Sequence, residues 1–161
     1  IYNMKNLFSL KNKFLFIALL ITSFFAASCE KEEEPLKLTE DGTYSGQLAV
    51  DQLNGTNYTS SNVQVKVTPS TSAGYITIDM LQVSFSPKMP VKLDMKIQNV
   101  VYTSASEKIT LSGNNIIPIA MGGEFPAYTI TNLTGEIQNG VLSLSMMCGS
   151  FPLTYNGTLL L

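Results

Sequence analysis

The sequence predicts an all-β domain, an antiparallel barrel of about eight strands, and three observations predict it. After Asp41 the apolar residues recur with a period of two, in short runs separated by Gly, Asn, Pro and Ser. Several of these runs change phase part-way, as a strand must when it turns a corner of a strongly curled sheet and its inward face is re-aimed. No helical run follows Pro35.

The runs justify the strands in order. Tyr44, Gly46, Leu48 and Val50 alternate with Thr43, Ser45, Gln47 and Ala49, and Asn54-Gly55 ends the pattern. Val63, Val65 and Val67 alternate with Gln64, Lys66 and Thr68, and residues 69–74 form a turn. Ile76, Ile78 and Met80 are even-numbered whereas Leu81, Val83 and Phe85 are odd, which predicts a bulge near Met80 and Leu81. Val91, Leu93, Met95 and Ile97 give way to Val100 and Tyr102, and Tyr128 and Ile130 give way to Leu133, Gly135 and Ile137, so the slip recurs twice. Ser112-Gly113-Asn114-Asn115 reads as a hairpin turn joining Ile109 and Leu111 to a strand over 116–121. Asn139-Gly140, two residues that accept positive φ, predicts a type I′ hairpin between Ile137 and Val141. Runs over 141–148 and 153–161 complete the set. Eight or nine short strands in about 120 residues leave a β-sandwich or a barrel, and the slips favour the barrel.

The N-terminal stretch predicts location. Lys5, Lys11 and Lys13 precede an apolar run over 14–25 that is too short for a bilayer-spanning helix, which needs roughly 20 residues; this is the pattern of a secretory signal. Ala26-Ala27-Ser28-Cys29 resembles the lipobox of bacterial lipoproteins, in which the cysteine is acylated and becomes the new N-terminus. Ala26 stands where that pattern usually has leucine. Glu30-Lys31-Glu32-Glu33-Glu34-Pro35 resembles the acidic export signal of surface-exposed lipoproteins of the Bacteroidetes, and its like charges also suit an extended linker. The expected organisation is a removed signal peptide over 1–28, a tether over 29–40 lipidated at Cys29, and a barrel over 41–161. The expected address is the outer membrane, lipid-anchored, at the cell surface.

Three segments carry a second resemblance: Gly42-Thr43-Tyr44-Ser45-Gly46, then Phe85-Ser86-Pro87-Lys88-Met89-Pro90 with Ile97-Gln98-Asn99-Val100, then the stretch from Leu133 to Leu144. Together they resemble the calycin-like β-barrel lipoprotein domains of Bacteroides and relatives, over nearly the whole of 41–161. The resemblance implies a lipocalin-like architecture. Its motifs are strand starts and turns, so no catalytic or binding residue comes with it.

Composition narrows the function classes. The chain has a net charge of −2, with no His and no Trp, and no Arg among its ten cations. Without Lys5, Lys11 and Lys13 the net charge is −5, and from Asp41 onward five lysines face seven acids. Scattered lysines make no phosphate-binding surface, so nucleic acid is not an expected partner. Lack of histidine excludes Ser-His-Asp and Cys-His nucleophile systems and removes the commonest metal ligand. Asp79, Asp94, Glu107, Glu124 and Glu136 fall at dispersed outward positions and read as solvated surface charge. No phosphate loop or calcium-loop spacing occurs, so no enzyme, cofactor or metal is expected. Once Cys29 is acylated, Cys148 has no partner for a disulfide and reads as a small hydrophobe at a strand end.

Two function classes remain. The first is a carrier for a small apolar ligand, with Tyr44, Leu48, Met80, Leu93, Met95 and Met146 lining the interior, since they share the apolar phase of their strands and Met adapts to irregular ligands. Ordinary core packing explains the same pattern, because an eight-stranded barrel can be filled by its own side chains. The second is a rigid accessory domain that engages another protein through loops or a sheet edge. Pro118, Ile119, Met121, Phe125 and Pro126 are its candidate surface, against the plainer reading that Ile117 and Ile119 are strand residues and Phe125 plugs the barrel end.

Overall fold

Alternation of one apolar and one polar face gives strands that must close on themselves to bury the apolar side, and they do. The computed structural model describes residues 41–161; the expected signal peptide, the expected tether and Cys29 lie outside them. The strands are β1 (Gly42–Asp51), β2 (Asn57–Pro69), β3 (Tyr75–Val83), β4 (Leu93–Ala105), β5 (Lys108–Gly113), β6 (Ile119–Ala120), β7 (Gly123–Glu124), β8 (Ile130–Gln138), β9 (Val141–Cys148) and β10 (Phe151–Leu159). A 3₁₀ turn, Pro126–Tyr128, precedes β8, and there is no α-helix among the described residues. Each strand pairs antiparallel with its neighbours in the order β1-β2-β3-β4-β5-β8-β9-β10, and β10 returns to β1. This is a closed eight-stranded up-and-down barrel, calycin-like in architecture. The small β6–β7 hairpin hangs on the side of β4.

The predicted slips are β-bulges, each one extra residue in the left-handed region. Gln82 (φ +53) interrupts β3 between Met80 and Val83. Asn99 (φ +59) does so in β4, and Asn132 (φ +52) in β8. A fourth, at Asn62 (φ +58) in β2, was not expected from the apolar phase. Three of the four are asparagine, which tolerates this conformation better than other residues with a side chain. Side chains from other segments satisfy two of the freed amides: Gln82 N–H donates to Asp94 Oδ1 at 2.8 Å and Asn132 N–H to Asn114 Oδ1 at 3.2 Å. The Asn139-Gly140 turn is as predicted, with φ of +51 and +71.

The hairpin expected at residues 112–115 does not exist. β5 pairs with β8 from Ile109↔Ile137 to Gly113↔Leu133, and the bridge Ile116↔Ile130 continues that same register. Further on, β6 pairs with β4 at Lys96↔Ile119, on the edge β5 already occupies. Residues 114–118 are therefore an interruption within one long strand. A turn-forming composition is local, whereas the register with β8 is fixed by the whole ladder, and the ladder wins. The run over 116–121 belongs partly to that strand and partly to the β6–β7 hairpin. Val91, read as inward, precedes β4 and is 59% exposed.

Inward residues from all eight barrel strands form one core, and Leu48, Val65, Ile78, Met80, Ile97 and Leu142 have no surface open to water, whether outside or in an enclosed void. Outward positions such as Gln64, Lys66, Thr68, Ser143, Ser145, Thr154 and Asn156 are polar. That is the inverse of a bilayer-spanning barrel, which meets lipid with apolar side chains. The two ends differ. Turns 70–74, 106–107 and 139–140 lie at the end where β1 begins. The loops 52–56 and 84–92, residues 121–129 and the turn at 149–150 gather at the opposite end.

Candidate functional site

The six residues that phase assigns to the interior are together there. Tyr44, Leu48, Met80, Leu93, Met95 and Met146 are all buried, with Leu93 the most accessible at 7%. They touch one another's neighbourhood as parts of one packed core: Met80 stands opposite Met95 in the β3–β4 ladder, and the Cys148 thiol lies 3.9 Å from Met95 Sδ. Midway along β1, the Tyr155 hydroxyl donates to Val63 O at 3.1 Å, a carbonyl beside the Asn62 bulge. Burial pushes the Cys148 thiol up to about 12, well above the usual range, and also raises Tyr155 and Tyr44, with the Asp41 carboxylate adding to the effect at Tyr44. A thiol held so firmly protonated is a hydrophobe and not a nucleophile.

The far end is stoppered by aromatic rings. Phe85, buried in the 84–92 loop, stacks on Tyr128 at 4.9 Å between centroids and faces Phe151 at 6.4 Å; Tyr128 in turn stacks on Phe125 at 5.1 Å. Three segments distant in the chain thus meet over the core. Gln52 Nε2 donates to Phe85 O at 2.8 Å, which ties the 52–56 loop to the same plug. Phe125 takes the barrel-end role and Ile119 the strand role. Ile117, by contrast, is 42% exposed outside any strand.

Beside this plug runs an apolar groove of about 410 Å³ on the outer side of β3, β4 and β6. Leu81, Val91, Ile119 and Met121 supply its apolar surface, and two of the interior candidates, Leu93 and Met95, also border it. Met121, at φ +53, and Gly122, at φ +85, form the two-residue type I′ turn of the β6–β7 hairpin, and this puts Met121 at the tip, 79% exposed. Of the other apolar loop candidates, Pro118 is buried and Pro126 opens the 3₁₀ turn. Of the charges around the groove, Lys96 pairs with Asp79 at 3.7 Å, Asp94 accepts from the Gln82 backbone and side chain, and Lys92 makes no ion pair among the described residues. Lys108 pairs with Glu136 at 2.7 Å on the β5–β8 ladder. Among the described residues no three His, Cys, Asp or Glu side chains converge as metal ligands would.

Sequence reasoning missed Leu81 and Val91 as surface residues. Leu81 sits one position before the bulge residue and so faces outward, and Val91 follows Pro90 outside the strand. Compared with protein-family models, curated proteins and solved structures, the chain matches none.

Proposed function

We propose that this chain is a lipid-anchored, non-catalytic recognition module displayed at the outer surface of an outer membrane, with the barrel as a rigid mount and its far end as the surface that engages a protein partner. The observation that carries this reading is the packing of the interior: side chains from five strands have no water-accessible surface, which favours a core filled by its own side chains over one that holds an apolar cargo. The resemblance of residues 26–35 and of the barrel segments to surface lipoproteins supports the anchor. The tether precedes β1, so it enters at the end with turns, and the loops and the exposed Val91 and Met121 lie at the other. Exposed apolar side chains beside a groove, rimmed by charged residues, fit a protein partner better than water.

Metabolic labelling with an acyl-chain analogue, comparing the native chain with Cys29→Ala, tests the anchor; equal labelling removes it. For the partner surface, a photo-crosslinking amino acid at Met121 or Val91 in living cells is expected to give a discrete adduct that the same group at Thr154, on the β10 wall, does not. Identical patterns at all three positions overturn the reading. Titration with an environment-sensitive fluorescent fatty acid is expected to show no saturable binding. Saturable binding that Met95→Trp abolishes would return Tyr44, Leu48, Met80, Leu93, Met95 and Met146 to the role of ligand-binding residues.

A further inference from the structure

A second groove, of about 310 Å³, lies between the 52–56 and 84–92 loops at the far end, on ladders already closed by β1 and β2. We propose that it binds an acidic saccharide unit, a pyranose ring that carries a carboxylate. Its lining is amide, hydroxyl, one aromatic ring and one cation: Asn54, Asn57, Thr56, Ser86, Tyr58 and Lys88. Side-chain amides and hydroxyls present adjacent donors and acceptors, the pattern that neighbouring ring hydroxyls require. The half-buried Tyr58 offers a flat apolar face for the C–H side of a sugar ring.

The charge points the same way. No carboxylate lines the groove, and the Lys88 ammonium makes no ion pair among the described residues. Hydrogen bonds from Ser60 and Ser84 and the nearby Lys92 ammonium lower the Tyr58 phenol, so a second cation lies within electrostatic reach. The nearest acid in the chain, Asp51, is turned to the Leu53 N–H at 2.8 Å and borders the neighbouring groove. This field favours an anionic group over a neutral one.

The site is also built in advance. Asn54 Oδ1 accepts from the Thr56 N–H at 3.0 Å and from its hydroxyl, Ser86 Oγ accepts from the Lys88 N–H, and the Ser84 hydroxyl donates to Ser86 O at 2.9 Å. Loops fixed in this way lose little freedom on binding. An extended peptide is a poorer fit, because β1 and β2 pair with each other here and offer no open edge for strand addition. At this volume, near the lower bound of roughly 300 Å³ for small-molecule sites, one or two sugar rings fit. The groove is separate from the apolar one beside the β6–β7 hairpin and stands whether or not a protein binds there.

The test is a titration of the ¹⁵N-labelled full chain in detergent micelles with glucuronate, glucose and acetate, followed by NMR. Glucuronate is expected to shift the side-chain amides of Asn54 and Asn57 saturably, and glucose to do so with about tenfold weaker affinity, the factor for one charge-assisted contact of about 1.4 kcal/mol. Acetate, which has the charge without the ring, is expected not to saturate over the same range. Lys88→Gln, an exposed loop change, should remove the preference for glucuronate over glucose. Equal affinity for the two sugars in the native chain, shifts centred elsewhere on the barrel, or a preference that survives Lys88→Gln each overturn the proposal.

Discussion

Gly157 in β10 stands opposite Gly46 in β1, and replacing it with alanine tests how tightly the middle of the barrel is packed. A Cβ at residue 157 would overlap the Tyr155 hydroxyl oxygen and lie 2.7 Å from Cζ and 2.9 Å from Cε1 of that ring. The ring cannot swing to solvent, since it is buried, and its hydroxyl is committed to Val63 O. Moving it breaks that bond and leaves the buried hydroxyl without its acceptor, at about 1–3 kcal/mol, and crowding a packed core adds about 1–3 kcal/mol. A total near 3 kcal/mol is expected, about 10 °C in melting temperature for a domain of this size. Urea unfolding followed by circular dichroism reads it, with the slope of the transition unchanged. Tyr155→Phe alone should cost about 1 kcal/mol, and Gly157→Ala should cost less in that background, because the overlapping oxygen has gone. Gly123→Ala, where a Cβ meets nothing within 4 Å, is the control and should change stability by less than about 0.5 kcal/mol. Strict additivity of the two β10 changes would falsify the steric argument.

The remaining predictions are simpler. Gly140→Val forces a β-branched residue to φ +71 and should cost about 1–2 kcal/mol in the denaturation midpoint; an unchanged midpoint means the turn is not type I′. Asp94→Ala strips the Gln82 bulge of its cap and should cost about 1 kcal/mol, whereas Asp94→Asn, which keeps an acceptor, should recover most of it. Cys148 keeps its proton up to about pH 12 when folded but near pH 9 when unfolded, so its contribution is complete below about pH 9 and is lost as pH rises toward 12. Stability should fall across that window by up to about 1.4 kcal/mol per pH unit from this group, and Cys148→Ala should flatten the slope. Iodoacetamide at pH 8.5 should alkylate Cys148 only at the rate of unfolding; rapid labelling of the native chain would show the thiol accessible.

How far the fold was legible depended on which residues carried the signal. Three bulges could be read because apolar residues stand on both sides of each, so the change of face at Gln82, Asn99 and Asn132 shows in the phase. The bulge at Asn62 could not, since the part of β2 before it, Asn57 to Ser61, has no buried side chain from which a phase could be taken. Its one local trace is an asparagine inside a strand, a residue depleted there unless the backbone needs it. Residues 112–115 misled for the opposite reason: the turn chemistry is real, but Asn114 and Asn115 (φ +55) serve an interruption in a strand whose partner lies further along the chain, at Gly113↔Leu133 and Ile116↔Ile130.

The interior was legible and the surface was not, and one physical fact explains both. Burial repeats along a strand, so six residues on four strands could be gathered by period alone; whether the space they enclose is empty depends on summed side-chain volume, which no period encodes. The far end depends on meetings between segments: Phe85 with Tyr128 and Phe151, and Leu81 and Val91 with the Met121 tip. Closure of the barrel decides where such meetings can matter. Once β10 pairs with β1, the eight barrel strands have no free edge, which leaves the loops and the appended β6–β7 hairpin as the surfaces for the recognition proposed above. The end where β1 begins is spent on short turns. A barrel closed in this way leaves its other end as the place where sequence can vary without unfolding the core, and the exposed methionine and the amide-lined groove both lie there.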